Sequence, residues 1–235
     1  MINSKYLRDR RRMELAIDTS LNTVGLALCK EGEVMVELSW NSHQNQSVEL
    51  LPNLELLLQR AGAVIRDIAL VMVALGPGGF NGVRVGLATA KGLSLGLGVP
   101  MVGVSTLEAM AFPLRGIGLT LCPVIPAGRG RLAAALFRAS HGEWRRLKAE
   151  HLTAPKELAS TLPRRAVICG RPPREALEAH GRVPVAPPLS PASGVAALGW
   201  ERYQRGRVDN PSRLRPLYLK PPSITLPTPK QEVAT

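Results

Sequence analysis

The sequence predicts an α/β protein whose first half carries parallel strands. Three features predict it. Apolar residues make up 45% of the 235-residue chain, enough for a sizeable core, and aromatics only 4%, so that core is built of Leu, Val and Ala. The first half runs in the order βββαβαβα, which suits a sheet covered by helices rather than a bundle or a sandwich. Residues 69–75 form an unbroken apolar run with the length and composition of a strand buried on both faces.

The elements follow in order. Glu14-Leu15-Ala16-Ile17 reads as a strand that turns at 18–22, and 23–29 and 34–38 are β-rich runs joined by a turn containing Gly32, which together make consecutive hairpins. A helix is predicted over 47–60, with Ser47 as its cap, Val48, Leu51, Leu54 and Leu58 along one face, and Gly62 ending it. Pro52 fits if it stands near the first turn. After the apolar strand come the glycine-rich turn Gly76-Pro77-Gly78-Gly79, a helix over 81–97, and a strand over 99–104. Ser105-Thr106-Leu107-Glu108 then opens a short helix as a capping box.

The second half is a looser echo of the first. Strands are predicted at 119–125, 132–138, 144–147 and 166–169, and helices at 154–162 and 193–205, with prolines clustered between them. The expected organisation is a basic disordered tail over 1–12, one unit over 13–112, a smaller basic unit over 113–220 and a disordered end over 221–235. Charge divides the chain at the same place. Residues 13–112 balance to −4, whereas 113–235 carry 20 basic and 8 acidic residues, a balance of +12. That asymmetry is either an electrostatic footprint for RNA, with Arg145 and Arg146 as candidate contacts, or an arginine-rich bias of composition.

Several chemistries are excluded. Cys29, Cys122 and Cys169 form no C-x-x-C pair, so neither a disulfide framework nor a zinc site is expected, as suits a reducing cytoplasm. No secretory signal is evident, and the longest apolar stretch carries Arg84 and Lys91 and is too short to span a membrane. His43, His141, His151 and His180 show no metal-binding spacing, and no G-x-S-x-G elbow occurs. The glycine turn is neither a P-loop nor a Rossmann fingerprint. It reads either as a phosphate cradle at a helix start or as a sharp reversal that lets strand and helix pack closely.

The helix after that turn carries Gly82, Gly86, Ala90, Ser94 and Gly98 at every fourth position, a ladder that admits another backbone closely. The ladder is met either by a partner protein or by the chain's own elements. On the partner reading, Gly86→Leu or Ala90→Arg breaks the association and leaves the fold intact.

The runs Leu15-Ala16-Ile17-Asp18-Thr19-Ser20, Leu50-Leu51-Pro52, Gly76-Pro77-Gly78-Gly79-Phe80-Asn81-Gly82-Val83-Arg84 and Val102-Gly103-Val104-Ser105-Thr106-Leu107-Glu108 resemble, in order and spacing, the TsaB family. The resemblance covers nearly all of 13–112. It departs where the family's G-P-G-S-F-T-G-L-R has Gly79, Asn81 and Val83 here, and where its D-A-R-R-G-E is Pro126-Ala127-Gly128-Arg129-Gly130-Arg131. The resemblance implies a two-domain actin-like ATPase (ribonuclease H-like) fold with a degenerate nucleotide site. It implies a non-catalytic cytoplasmic scaffold that has no cofactor of its own and dimerises with the transferase TsaD. The complex would use ATP, threonine, bicarbonate and a divalent metal on TsaD, recruit the ATPase TsaE, and carry threonylcarbamoyl to adenosine 37 of tRNA. Alone, the chain is either a homodimer or awaits its partner, and the residues leave the two open. The implied partner contact lies on the two helices 47–60 and 81–97, through Val48, Leu51, Leu54, Leu58, Gly82, Val83, Gly86, Ala90, Leu93 and Ser94. The alternative is an active transferase or kinase of the same fold.

Overall fold

A computed structural model describes residues 12–140, 143–163, 165–170, 172, 174 and 191–219. The two expected disordered tails lie outside the described residues, Arg12 apart. The first sheet contains β1 (Met13–Asp18), β2 (Thr23–Lys30), β3 (Glu33–Asn41), β4 (Ile68–Ala74) and β5 (Met101–Val104), in the order β3-β2-β1-β4-β5. The hairpin strands pair antiparallel, and β1, β4 and β5 pair parallel. The second sheet contains β6 (Thr120–Pro126), β7 (Leu132–Ser140), β8 (Glu143–Thr153) and β9 (Ala166–Gly170), in the order β8-β7-β6-β9. Its pairing, two antiparallel ladders and then a parallel one, repeats the first four strands of the first sheet.

Alternation along each strand sorts the core into two faces. Leu15, Ile17, Leu26, Leu28, Val71 and Val73 face α1 (Gln46–Arg60) and α2 (Phe80–Leu97), whose Leu50, Leu54, Leu57 and Leu87 close over them. Ala16, Ala27, Leu70, Met72 and Val104 point the other way, onto α5 (Pro191–Gln204) and the short α3 (Thr106–Ala111). The last of the described helices therefore completes the core of the first sheet. Glycine allows it to sit close: a Cβ on Gly194 would stand 2.3 Å from the Ala109 carbonyl oxygen. α3 is shared, because its Leu107 and Ala111 pack on Leu121, Ala133 and Phe137 of the second sheet. The far side of that sheet is covered by α4 (Pro155–Thr161), through Leu158.

Two boundaries differ from expectation for clear reasons. α1 starts at Gln46 behind Asn45, which makes no side-chain cap, so Pro52 lies well inside the helix. Proline's missing N–H leaves one rung of the ladder unmade, and the Asn53 side chain donates to the Glu49 carbonyl nearby (2.9 Å). β8 runs for 11 residues instead of four, because pairing with β7 carries a polar edge strand that alternation alone does not reveal.

After α5 the chain returns to the first sheet as a strap. Asp209 forms a bridge to Met101 at the β5 edge, and its carboxylate accepts from the Gly103 N–H (2.8 Å). Leu214 packs into the α1–α2 core, and the Leu217 N–H donates to the Leu75 carbonyl (2.7 Å).

Candidate functional site

Two concavities frame the possible chemistry. The first is a cleft of 690 Å3 between the β1–β2 turn and the β6–β7 turn, lined also by Gln46, the glycine loop and Tyr218. In this architecture, phosphates would have to be held by main-chain N–H groups of the two turns. Some of those groups are engaged within the protein. The Ser20 N–H and hydroxyl both donate to Asp18 Oδ1 (2.8 and 2.6 Å), and the Gly79 N–H donates to the Ser20 carbonyl (2.7 Å). Gly78 lies so close that a Cβ there would stand 2.1 Å from the same carbonyl oxygen. In the second turn the Ala127 N–H donates to Arg131, the Arg131 N–H to Gly128, and Pro126 has none. Asp18 is wholly buried, and desolvation pushes its carboxyl up to about 6, against the pull of its two Ser20 bonds. The close approach of Gly78 to Ser20, and a proline at 126, limit what the cleft offers a nucleotide's phosphates. The glycine loop is a packed reversal, and Gly76, at φ 93°, makes the bend that glycine takes without strain. Among the described residues no three His, Cys, Asp or Glu side chains gather as a metal site.

The second concavity is a groove of 510 Å3 between α1 and α2, lined by Leu51, Leu54, Glu55, Leu58, Val64 and Leu93. Here the structure rearranges the expected contact set. The ladder of Gly82, Gly86, Ala90 and Ser94 faces inward. A Cβ on Gly82 would stand 2.2 Å from the Thr19 carbonyl oxygen, and one on Gly86 2.2 Å from Thr19 Oγ1. The Thr19 hydroxyl donates to the Gly82 carbonyl (2.6 Å), and Ser94 Oγ to the Val99 carbonyl (2.7 Å). Ala90 and Val83 are buried, as are Leu54 and Leu58. These seven residues are packed into the protein's own fold, and of them only Leu54 and Leu58 also line the groove. Gly86→Leu is accordingly a folding lesion and not a clean interface variant.

Of the expected contact residues Val48 and Leu51 do face outward, and Leu95 joins them. Val48 is 69% exposed, Leu51 57% and Leu95 65%. Ala88, Gly92 and Gly96 form a second ladder at four-residue spacing, and a Cβ on Gly92 or Gly96 would meet nothing within 4 Å. Leu93 is half-buried in the groove between the helices. Sequence reasoning missed this outer ladder although its spacing is equally regular. Only the position of Thr19 decides which ladder faces in.

The two cations of α2 face the strap. Lys91 Nζ donates to the Leu214 carbonyl (2.8 Å), and the Arg84 guanidinium lies 5.0 Å from the centre of the Phe80 ring, which stacks on Tyr218. That side of α2 is thus partly covered by the strap. Arg145 and Arg146 stand on the edge strand β8, each paired with a carboxylate, Glu143 and Glu150 respectively.

Two sheets of matching strand order, meeting at a cleft between their first hairpin turns, define an actin-like α/β protein. The activator of the 2-hydroxyisocaproyl-CoA dehydratase from Clostridium difficile shares that fold (TM-score 0.51, 13% identity, covering 83% of this chain and 96% of that one). Residues 39–186 match the model of the TsaD family, described as tRNA N6-adenosine threonylcarbamoyltransferase. The TsaB protein of Bacillus subtilis is 36% identical over 54% of this chain and 56% of its own length, so the chain spans about half of that curated relative. An uncharacterized protein of Mycobacterium tuberculosis, Rv3421c, is 32% identical over 88% of this chain and 92% of its own. YeaZ from Pseudomonas aeruginosa superposes with a TM-score of 0.74 at 25% identity, covering 88% of this chain and 100% of that one. The chain belongs to the family that the TsaD model describes, and within it is similar to TsaB and YeaZ proteins.

Proposed function

We propose that this protein is a non-catalytic scaffold subunit that dimerises with a TsaD-like transferase and so supports threonylcarbamoyl transfer to adenosine 37 of tRNA in the cytoplasm. The observation that carries this reading is the outward face of α1 and α2. There an apolar groove lies beside exposed Val48, Leu51 and Leu95 and a ladder of small residues that permits close backbone approach. The occupant is the equivalent helical face of a TsaD-like subunit, consistent with the match of residues 39–186 to that family's model. When the chain is alone, a second copy can occupy the same face. ATP, threonine, bicarbonate and a divalent metal are assigned to the transferase, and a TsaE-like ATPase joins the assembly.

A second reading, an active transferase in its own right, is favoured by the name of the matching family model. Against it stand the tight packing of Gly78 on the Ser20 carbonyl and the proline at 126 in the second turn of the cleft. The test is ATP turnover by the purified chain. The scaffold reading expects none without the TsaD-like subunit, and measurable turnover by the chain alone overturns it.

A further inference from the structure

The described cations of this basic chain divide into those with a carboxylate and those without. Arg145, Arg146, Arg202 and Arg205 each meet a Glu. Arg84, Lys91 and Arg215 meet none among the described residues, yet the fold gathers two of them. Lys91 Nζ and an Arg215 guanidinium nitrogen donate to one and the same oxygen, the Leu214 carbonyl, at 2.8 and 3.1 Å. Two like charges converging on a single neutral acceptor leave a strongly positive spot that an anion would neutralise.

The strip continues along α2. Arg84 lies seven residues before Lys91 on the same face, with its guanidinium over Phe80. Phe80 stacks on Tyr218 with ring centres 5.2 Å apart and planes 26° apart. The two rings remain 43% and 42% exposed, and both line the mouth of the cleft. An open aromatic stack at the end of an unneutralised cationic strip is the pairing by which proteins hold single-stranded nucleic acid, with cations on the phosphates and a ring against a base. A phosphorylated or acidic peptide would use the cations but has no need of the open rings.

We propose that the strip formed by Arg215, Lys91, Arg84 and the Phe80–Tyr218 stack is an RNA contact surface that takes phosphates along its cations and an unpaired base on its aromatic end. The surface rests on the reading that the chain works on tRNA within an assembly. It lies outside the α1–α2 groove but beside the outer ladder, since Ala88 and Leu95 share the helix face of Arg84 and Lys91, and the two claims are told apart by measuring heterodimer formation and RNA binding on the same variants.

The test measures binding of an unmodified tRNA transcript to the complex of this chain with its TsaD-like subunit, and to the chain alone, over a range of salt. Arg84→Gln with Arg215→Gln should lower the log–log salt slope by about 1.4, the contribution of two phosphates on a single strand. Tyr218→Ala should weaken binding at least about five-fold, and Tyr218→Phe should restore it. Arg145→Gln with Arg146→Gln should leave both unchanged. Unfolding temperature and heterodimer formation, both expected at wild-type values, separate loss of RNA contact from loss of fold or of the partner. An unchanged slope overturns the proposal, and so does a Tyr218→Ala complex that binds as tightly as wild type. If the heterodimer never forms but the chain alone loses RNA with these variants, the surface stands and the scaffold reading falls.

Discussion

Thr19 sets the orientation of α2. Its carbonyl and hydroxyl oxygens occupy the space where side chains at 82 and 86 would go, and its hydroxyl bonds back to the Gly82 carbonyl. A side chain at 86 must displace a hydrogen-bonded group in a close-packed layer, which costs more than the usual 1–3 kcal/mol of overpacking. Gly86→Leu should therefore abolish soluble, cooperatively unfolding protein, as thermal melts would show; a well-folded variant would mean that the ladder does not pack on Thr19. One residue earlier, Asp18 makes a separate prediction. Its carboxyl is raised from 3.8 to about 6, so the native state holds the proton more tightly than the unfolded chain. The associated stability is present below about pH 4 and is lost as pH rises through about 6, a change of roughly 3 kcal/mol. Asp18→Asn should flatten the stability profile across that window and raise the unfolding temperature at pH 8. A profile identical to wild type would place the titration elsewhere.

At the scale of elements, the strands and helices of the first half were legible because their patterns are strong. The buried run at 69–75 has no polar interruption, and α2 follows a turn that only glycine-rich sequence makes. Which side of α2 faced the sheet was not legible, since two ladders of small residues share one spacing. The strap was invisible too: a proline-rich segment without periodicity gives no sign that Asp209 will cap the Gly103 N–H or that Leu214 will enter a core formed more than a hundred residues earlier. Asp209→Ala should cost about 1–2 kcal/mol through the lost charged hydrogen bond and speed amide exchange at Gly103. Unaltered exchange there would mean that the strap does not hold the β5 edge. The outer ladder answers to a complementary change. Gly92→Leu meets open space and gains helix propensity of a few tenths of a kcal/mol to about 1 kcal/mol, so it should keep or raise the unfolding temperature while obstructing close approach from outside.

Across the whole molecule, the two sheets are tied through one carboxylate. Glu108 on α3 accepts from Trp144 Nε1 of the second sheet (3.2 Å) and from Arg202 of α5 (2.7 Å), and Arg202 also donates to the Gly103 carbonyl (2.8 Å). Trp144 itself stacks on Phe137 and meets Phe112 edge-on. Sequence reasoning assigned Glu108 to a cap and Trp144 to a short strand, because nothing local links residues 36 positions apart. Glu108→Ala removes the shared acceptor and leaves Arg202 partly buried and uncompensated, a loss of about 2–4 kcal/mol. Calorimetry should show a lower and broader transition, with the two sheets no longer unfolding together. A fold tied in this way, with α1 and α2 packed on one side of the first sheet, is suited to presenting a surface. The central claim is that the outward α1–α2 face binds a TsaD-like subunit. The most direct measurement is the mass of the complex formed with that subunit by Leu51→Glu combined with Gly92→Leu, set beside the wild-type chain. The account predicts a folded variant that elutes alone; a heterodimer of undiminished yield would contradict it.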